Sequence, residues 1–466
     1  MNRAPGRLRF DHDHVVTHEE RYESGRAARS RIPRSSQAHY VPDAARDPLG
    51  VLDQQHARRL PDLVPLRIAR MLQDPFAFYR GTAAIQAADL AGLPTSGADI
   101  VICGDAHIAN FGLFASPERS MVFDLNDFDE ATTGPWEWDL KRMVTSVVIA
   151  ARGRGASDAR AREAALHAAR TYRDALHQSL GVPVTERFFL PAVVRGGRQF
   201  GKKTQRVVRD LVAASEKRTS ERVISRITER AADGSLHLIE APPRLTHVPP
   251  EMESVVGEVL ARYSRTVSPD IALLLSQHTV TDVARRVVGV GSVGTRCFIV
   301  VLTGPHGEAL ILQIKEATDS VVQEFGGVER EEVAGIDRER LGEHHGYRVT
   351  AKQRILQAVS DPFLGYVTFE GFGFYVRQFR DRNVSFDIDR MAEQTFDDYA
   401  FACAQLLARA HSRSANAAFI AGYIGHGDVL PEAVTTWALS YADQSHADYE
   451  TLQAAVVSGR YEAAPL

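Results

Sequence analysis

The chain has 466 residues, is 44% apolar and 24% charged, and carries a formal net charge of −4. That balance is an ordinary globular one spread over more length than one small core needs, so two or three domains are expected. It gives no electrostatic ground for nucleic acid or an anionic membrane as the main partner.

Cys103, Cys297 and Cys403 are far apart and lack metal-ligand spacing, so they read as small buried apolar side chains, not a disulfide framework. The N-terminus has no apolar h-region, and no apolar run reaches the roughly 18 residues that span a bilayer. A cytoplasmic protein is expected.

Residues 1–45 are polar and arginine-rich and read as an arm, loosely ordered or draped over the body. Helical spacing follows over 50–92, through Leu60, Leu63, Leu66, Ile68 and Met71 to "DPFAFYRGTAAIQAADLAGL". Within 99–128, "DIVICGD" and "SMVFDLNDF" read as strands flanking a loop. From Trp136 to about Ala175 the pattern is helical again, with Leu140, Met143, Val144, Val147 and Val148 on one face. The basic run around Arg195, Arg198, Lys202 and Lys203 reads as a solvated helix face, or as a surface for an acidic substrate.

"DGSLHLIEAPPRLTHVPPE" is the best candidate boundary. Beyond it, "RCFIVVL", "ALILQIKEA", "LGYVTFE" and "GFYVRQF" are β-branched or aromatic runs parted by glycine-rich turns, the pattern of an antiparallel sheet. "RVTAKQRILQAVSD" interrupts them as a helix, and after Asp387 the chain is helical to its end.

In "GDAHIANFG", Asp105 precedes Asn110 by five residues. That is the spacing of a phosphotransferase catalytic loop, where the Asp orients or deprotonates an acceptor hydroxyl and the Asn amide oxygen holds a metal on nucleotide phosphates. A pair that only caps a turn has the same letters. "SMVFDLNDFDEATTGPWEWDL" then closes an apolar strand with Asp124, Asp127, Asp129 and Glu130, which repel one another unless a cation lies among them. An Asn from one loop and an Asp from the next strand end is how Mg²⁺–nucleotide sites are built; a solvated acidic turn is the alternative.

"VVGVGSVGTRCFIVVL" spaces Gly289, Gly291 and Gly294 as G-x-G-x-x-G, but a β-branched run follows where a dinucleotide-binding fold needs a helix. Glycines inside a β-hairpin are the kinase arrangement. Lys315, on the next strand, matches the phosphate-binding Lys of a V-A-I-K pattern. A snorkelling Lys beside a glycine-rich hairpin is the alternative. "FGFYVRQF" is then the hinge strand, reading adenine with its backbone between Val376 and Gln378. The intervening helix has no acid, so Glu324, with Gln353 behind it, is the expected partner of Lys315. Arg80 reads as a core residue among aromatics or as a phosphate contact, and His12 and His14 as part of a mobile arm or as metal ligands.

The stretch from Gly104 to Leu140 resembles the aminoglycoside phosphotransferase branch of the protein-kinase-like superfamily. The superfamily loop runs roughly H-G-D-x-H-x-x-N, then apolar-I-D-F-x-x-A-x-x-G-x-P and a D-L pair. Gly104-Asp105, His107 and Asn110 fit the first part, with Cys103 where His is frequent. Asp127-Phe128, Ala131 and Gly134-Pro135 fit the second, and Asp139-Leu140 the last. The resemblance implies a catalytic loop holding Asp105, as base, and His107. It further implies Asn110 and Asp127 as metal ligands and Asp139 as a buried acceptor bracing the loop. Over nearly its full length the chain also resembles the bacterial family catalogued as domain of unknown function 2252, in "RMLQDPFAFYRG", "GDAHIANFG", "FDLNDFDEA", "VGVGSVGTRCFIVVL" and "SDPFLGY".

The parts stand in the reverse of a kinase's order, with the catalytic loop before the glycine loop. A circular permutation, cut between the helix "YAFACAQLLARAHS" and the catalytic loop, accounts for this. The expected fold is therefore α+β, a two-lobed protein-kinase-like fold with circularly permuted lobe order. Residues 1–45 are the arm and 46–245 a helical lobe with the catalytic and metal-binding loops. Residues 246–386 form a β-rich nucleotide-binding lobe, and 387–466 are helices returning to the catalytic lobe.

The expected function is an ATP- and Mg²⁺-dependent phosphotransferase acting on a hydroxyl of a small molecule or protein. Its partners are a nucleotide and an unidentified phosphate acceptor, with no nucleic acid and no membrane. A nucleotide-binding pseudokinase is the alternative, and less so a metal-dependent phosphoesterase, for which only "GHGD" at 425–428 hints at further His ligands. The permuted order demands that Lys315 and Asp127 meet in one cleft within roughly 10 Å. It also demands that Gly289–Gly294 roof that cleft, and that the helix holding Leu406, Leu407 and His411 pack beside the 104–112 loop.

Overall fold

Caps written in the sequence open the N-terminal helices. Thr17 and Glu20 form a reciprocal capping box on α1 (His18–Ala28). Asp47 caps α2 (Pro48–His56), α3 spans Val64–Met71, Asp74 caps α4 (Pro75–Gly81), and α5 is Ala83–Leu90. The single helical stretch expected over 50–92 is thus several short helices, broken where Pro61 and Pro75 remove backbone donors. These elements belong to a computed structural model that describes residues 16–189, 227–232, 234–287, 289–329, 336–379 and 386–465, with isolated positions between 205 and 213. His12, His14 and the basic run at Arg195, Arg198, Lys202 and Lys203 lie outside the described residues.

Four short strands follow: β1 (Asp99–Ile102), β2 (Phe111–Ala115), β3 (Met121–Leu125) and β4 (Thr132–Pro135). They pair antiparallel as β1 with β4 and β2 with β3, so the loops after β1 and β3 come together. Helices α6 (Trp136–Gly153) and α7 (Asp158–Leu180) complete this region. α6 is buried on nearly every face, including Glu137, Asp139, Lys141 and Arg142. A helix so enclosed must satisfy each polar group inside the protein, and that requirement sets the loops around it.

A short pair, β5 (Thr228–Arg230) and β6 (Leu236–Leu238), leads to a six-stranded antiparallel sheet. Its strands are β7 (Leu245–His247), β8 (Thr279–Arg286), β9 (Cys297–Thr303), β10 (Ala309–Ala317), β11 (Gly365–Phe369) and β12 (Phe372–Gln378), in the order β11-β12-β10-β9-β8-β7. Period-two alternation splits its faces. Leu312, Ile314, Phe374 and Val376 join an apolar cluster with Val256, Val259 and Tyr263 of the helix Pro250–Tyr263. Gln313, Lys315, Tyr375 and Arg377 alternate with them and point to the other side. Helix α8 (His345–Leu356), between β10 and β11 in sequence, packs on β11 and β12.

The chain returns to the first region through α9 (Glu393–His411), α10 (Ala417–Ile424) and α11 (Val429–Val457). One large core unites Val101, Phe111, Phe128 and Trp136 with Leu406, Leu407 and Trp437. α1 lies against α10; Arg29 Nε donates to Tyr423 O at 3.0 Å and Arg34 to Ile424 O at 2.7 Å. Among the described residues no helix is long and apolar enough to cross a membrane.

α8 approaches the sheet as closely as backbone allows. A Cβ built on Gly346 would stand 2.0 Å from the carbonyl oxygen of Phe374. Gly346→Ala should therefore destabilise the protein by about 1–3 kcal/mol in urea titration, although Ala is the better helix former. A midpoint at or above wild type would mean that α8 does not seat on β12 in this way.

Candidate active site

The loop after β1 is built around Gly104. Its φ is +76°, and a Cβ there would lie 2.2 Å from Glu130 O, so only glycine fits between the two loops. The Asp139 carboxylate, 1% exposed on α6, accepts from the amides of Cys103 (2.6 Å) and Gly104 (2.8 Å). His411 of α9 supplies a third donor, Nε2, at 3.1 Å, and its Nδ1 lies 2.8 Å from the Tyr172 hydroxyl. Tyr399, also on α9, donates to the carbonyl of Ile108 at 2.6 Å across 291 positions.

Within this loop, Asp105 Oδ1 accepts from Arg142 Nε at 2.7 Å, and Asp105 Oδ2 lies 3.7 Å from His107 Nε2. Burial raises the Asp105 carboxyl above the ordinary Asp range, against the pull of Arg142. His107 is 3% exposed; burial first, then Arg80 and Arg142, drive its pKa well down, so the ring is neutral. Asn110 donates Nδ2 to the Asp105 carbonyl at 2.7 Å, which leaves its amide oxygen as the free end.

The loop after β3 carries the acids. Asp124 points away: it is fully buried and paired with Arg409 of α9 at 2.8 Å. Asp127 Oδ1 takes the Asp129 amide at 3.3 Å and stands 4.0 Å from Lys315 Nζ. Asp129 is ion-paired with Lys315, 186 positions away, and also accepts from the Tyr375 hydroxyl at 2.8 Å and from Ser292 Oγ at 2.9 Å. Burial and the neighbouring Asp129 charge raise Asp127. Burial also opposes ionisation of Asp129, but Lys315 and Tyr375 overcome it and hold its carboxyl low. Lys315 would be lowered by its burial, yet the two carboxylates raise it above the ordinary Lys range.

The expected partner of Lys315, Glu324, is elsewhere. The single turn Val321–Glu324 buries Val321 and Val322, and Glu324 pairs with Arg58 at 2.6 Å on the rim. Gln353 donates to Gln357. α8 instead contributes a base: Arg348 grips the carbonyls of Ala131 (2.6 Å), Asp129 (2.7 Å) and Thr318 (2.8 Å). Lys352, on the same helix, donates to Thr133 Oγ1 at 2.5 Å.

The glycine segment is the turn joining β8 to β9, with a short 3₁₀ turn at Val290–Ser292. Gly289 and Gly291 line a cavity of about 240 Å³ together with Asp105, His107, Asn110, Asp127, Asp129 and Lys315. Arg59, Arg67 and Arg80, from the α2–α4 region, line it too. Gly294 lies outside that lining, at φ +90° against the Arg59 side chain, and its carbonyl accepts from the Leu60 amide at 2.8 Å. Val376 and Gln378 are not brought to the cavity. Val376 is paired to Ile314 on one side and Gly365 on the other, and the Gln378 amide is taken by Asp361 at 2.5 Å.

A model of one protein family, described as an uncharacterized protein conserved in bacteria (DUF2252), matches residues 59–455. The chain belongs to the DUF2252 family. The matched span holds every cavity residue named above except Arg58. No curated protein and no solved structure matches the chain.

Asn110 and Asp127 offer hard oxygens to a cation. Among the described residues no three His, Cys, Asp or Glu side chains gather as a closed metal cage. Such a two-oxygen set suits Mg²⁺, which keeps waters and takes remaining ligands from substrate phosphates.

Two measurements test this geometry. Asp129→Ala strands the buried Lys315 and should cost about 3–5 kcal/mol, while adding Lys315→Met restores most of the loss. Glu324→Ala should cost little, and a loss equal to that of Asp129→Ala would return Glu324 to the Lys. Burial, with Arg348 beside it, lowers Lys352 to about 7. A Lys lowered on folding destabilises the protein at and below pH 7, and that penalty fades as pH rises towards its unfolded value. Wild type should thus gain on the order of 2–4 kcal/mol relative to Lys352→Met between pH 7 and 10. Parallel stability curves would show Lys352 uncharged or solvated throughout.

Proposed function

We propose that this protein is an ATP- and Mg²⁺-dependent phosphotransferase acting on a hydroxyl group, with protein-kinase-like lobes in permuted order. The observation that carries the reading is one cavity lined by Asp105, Asn110, Asp127, Lys315, Gly289 and Gly291, drawn from segments far apart in the chain. The strand order supports it. A glycine turn joins β8 to β9, β10 carries the Lys, and a helix crosses before β11 and β12, which return beside β10. The packing of α9 against the 104–112 loop also supports it, because a permuted chain needs its last helices beside that loop.

Asp105 is the base. Arg142 fixes one of its oxygens and leaves the other for the acceptor hydroxyl, and burial makes the carboxylate more basic. As the hydroxyl oxygen bonds to the γ-phosphorus, its proton passes to Asp105 and ADP departs with the bond electrons. Asn110 and Asp127 would hold Mg²⁺, which when bound neutralises charge on the phosphate oxygens. Lys315 and the amides around Gly289 and Gly291 would bind the phosphates.

A pseudokinase is the second reading, favoured by the closed network in which Lys315, Tyr375 and Ser292 all engage Asp129. The phosphoesterase reading loses its hint: His426 stacks on His177 with ring centroids 4.2 Å apart, and Asp428 pairs with Arg170 and Arg173, away from the cavity lining.

Mg²⁺-ATP with the purified protein separates these. Autophosphorylation or transfer to an extract supports the phosphotransferase, thermal stabilisation without turnover the pseudokinase, and phosphomonoester cleavage the hydrolase. Asp105→Asn should keep nucleotide binding and lose transfer by about 10²–10⁴-fold. Asp127→Ala should abolish Mg²⁺-dependent nucleotide binding with an unchanged melting temperature in the absence of ligand. Wild-type turnover in the first or wild-type binding in the second would remove that residue from its role.

A further inference from the structure

The cations around the cavity differ in their partners. Lys315 is paired with Asp129, Arg142 with Asp105, and Arg58 with Glu324. Arg377, on the sheet side, donates to Gln313 Oε1 at 3.0 Å and to the Asn126 carbonyl at 3.3 Å, and faces the charges of Asp127 and Asp129. Arg59, Arg67 and Arg80, from the α2–α4 region, are different. Among the described residues no carboxylate accepts a hydrogen bond from any of them, yet all three line the cavity.

Arg67 is fully buried. Its guanidinium meets only neutral groups: Gln55 Oε1 at 3.1 Å, the Gly81 carbonyl at 2.8 Å and His56 Nε2 at 2.6 Å; its Nε has no partner. Arg59 donates to the Val293 carbonyl at 2.5 Å. Arg80 Nε is buried without a partner, and so is Nδ1 of His107, which is 3% exposed and lines the same cavity.

Arg67 is fully buried and Arg59 and Arg80 are half-buried, so guanidiniums lining one wall give up hydration without a carboxylate in exchange, and the arrangement is costly until an anion arrives. The fork of Arg suits a phosphate or a carboxylate in particular. Burial pulls Arg59 down to about 10, despite the charges of Glu130, Asp129 and Glu316, and lowers Arg67 well below the ordinary Arg range.

Resting on the phosphotransferase reading, we propose that Arg59, Arg67 and Arg80 form a subsite for an anionic group of the acceptor, a phosphate or carboxylate. The molecule phosphorylated at Asp105 is then itself an anion. The nucleotide phosphates already have Lys315, the glycine turn and the metal pair. The charge of Arg80 acts instead on Asp105 and His107, where the acceptor hydroxyl belongs.

Calorimetry on the full chain tests this with inorganic phosphate and glycerol 3-phosphate as probes, and glycerol as the uncharged control. Both anions should bind at millimolar concentration and glycerol should not, also with the protein saturated by a non-hydrolysable Mg²⁺-ATP analogue. Arg80→Gln and Arg59→Gln should weaken the anions at least tenfold, and Arg80→Gln should leave Mg²⁺-ATP affinity within about twofold. Should either variant melt early, Arg80→Lys keeps the charge without the fork and should still weaken glycerol 3-phosphate.

Absence of anion binding to wild type, or equal binding by wild type and the variants, overturns the proposal. So does a joint loss of anion and Mg²⁺-ATP affinity in Arg80→Gln, which would assign the guanidiniums to the nucleotide. If Mg²⁺-ATP fails to bind while the anions still depend on Arg80, the phosphotransferase reading falls and the anion subsite stands.

Discussion

Burying a carboxylate costs several kcal/mol unless its oxygens are fully hydrogen bonded, and Asp139 meets that condition with donors from distant parts of the chain. It sits on α6, takes the amides of Cys103 and Gly104 from the loop after β1, and takes Nε2 of His411 across 272 positions. Gly104 can lie against Glu130 only because it has no side chain, so the same contact seats the acidic loop beside the first. Remove the carboxylate and two buried amides lose their acceptor, at about 1–3 kcal/mol each. The positions of Asp105, Asn110 and Asp127 all depend on this junction.

The second constraint is charge across the cavity. A Lys at the end of a buried strand needs an anion, and here the anion comes from the loop of Asp127, Phe128 and Asp129, not from the neighbouring helix. α8 carries the opposite sign: Arg348 binds carbonyl oxygens of that loop and so holds the acid that holds the Lys. A helix without an acidic residue is therefore consistent with a buried, fully partnered Lys, because the helix acts through the loop's backbone.

Local signals in the sequence carried much of this. Lys315 was legible because it closes an apolar strand, and the antiparallel sheet because β-branched runs alternate with glycine turns. Asp105, Asn110 and Asp127 were legible from spacing. Asp129 was not, since two acids flanking one Phe look alike until the fold aims one at the Lys and the other at open space. Glu324 follows from the lack of an acid in the intervening helix, but that lack says nothing about which way a one-turn helix points. Arg59 in the bend after α2, Arg67 on α3 and Arg80 on α4 have unrelated local patterns, so only tertiary packing reveals them as one wall. Of the expected hinge stretch only Arg377 lines the cavity; Val376 and Gln378 do not, because β12 is an interior strand whose backbone is already paired through Val376.

The N-terminal helices link these constraints. Val290 of the glycine turn packs among Leu52, Ile68, Met71 and Phe78, and Val293 among Leu63 and Leu66. The Leu60 amide and the Arg59 guanidinium bind the carbonyls of Gly294 and Val293. In a hairpin free to move, the glycines would set the flexibility; here their neighbours are anchored in an apolar core that belongs to another segment. Arg59 therefore serves two surfaces at once, the cavity wall and the back of the turn that covers it. A group that binds its guanidinium on the cavity side therefore meets the same side chain that holds the Val293 carbonyl.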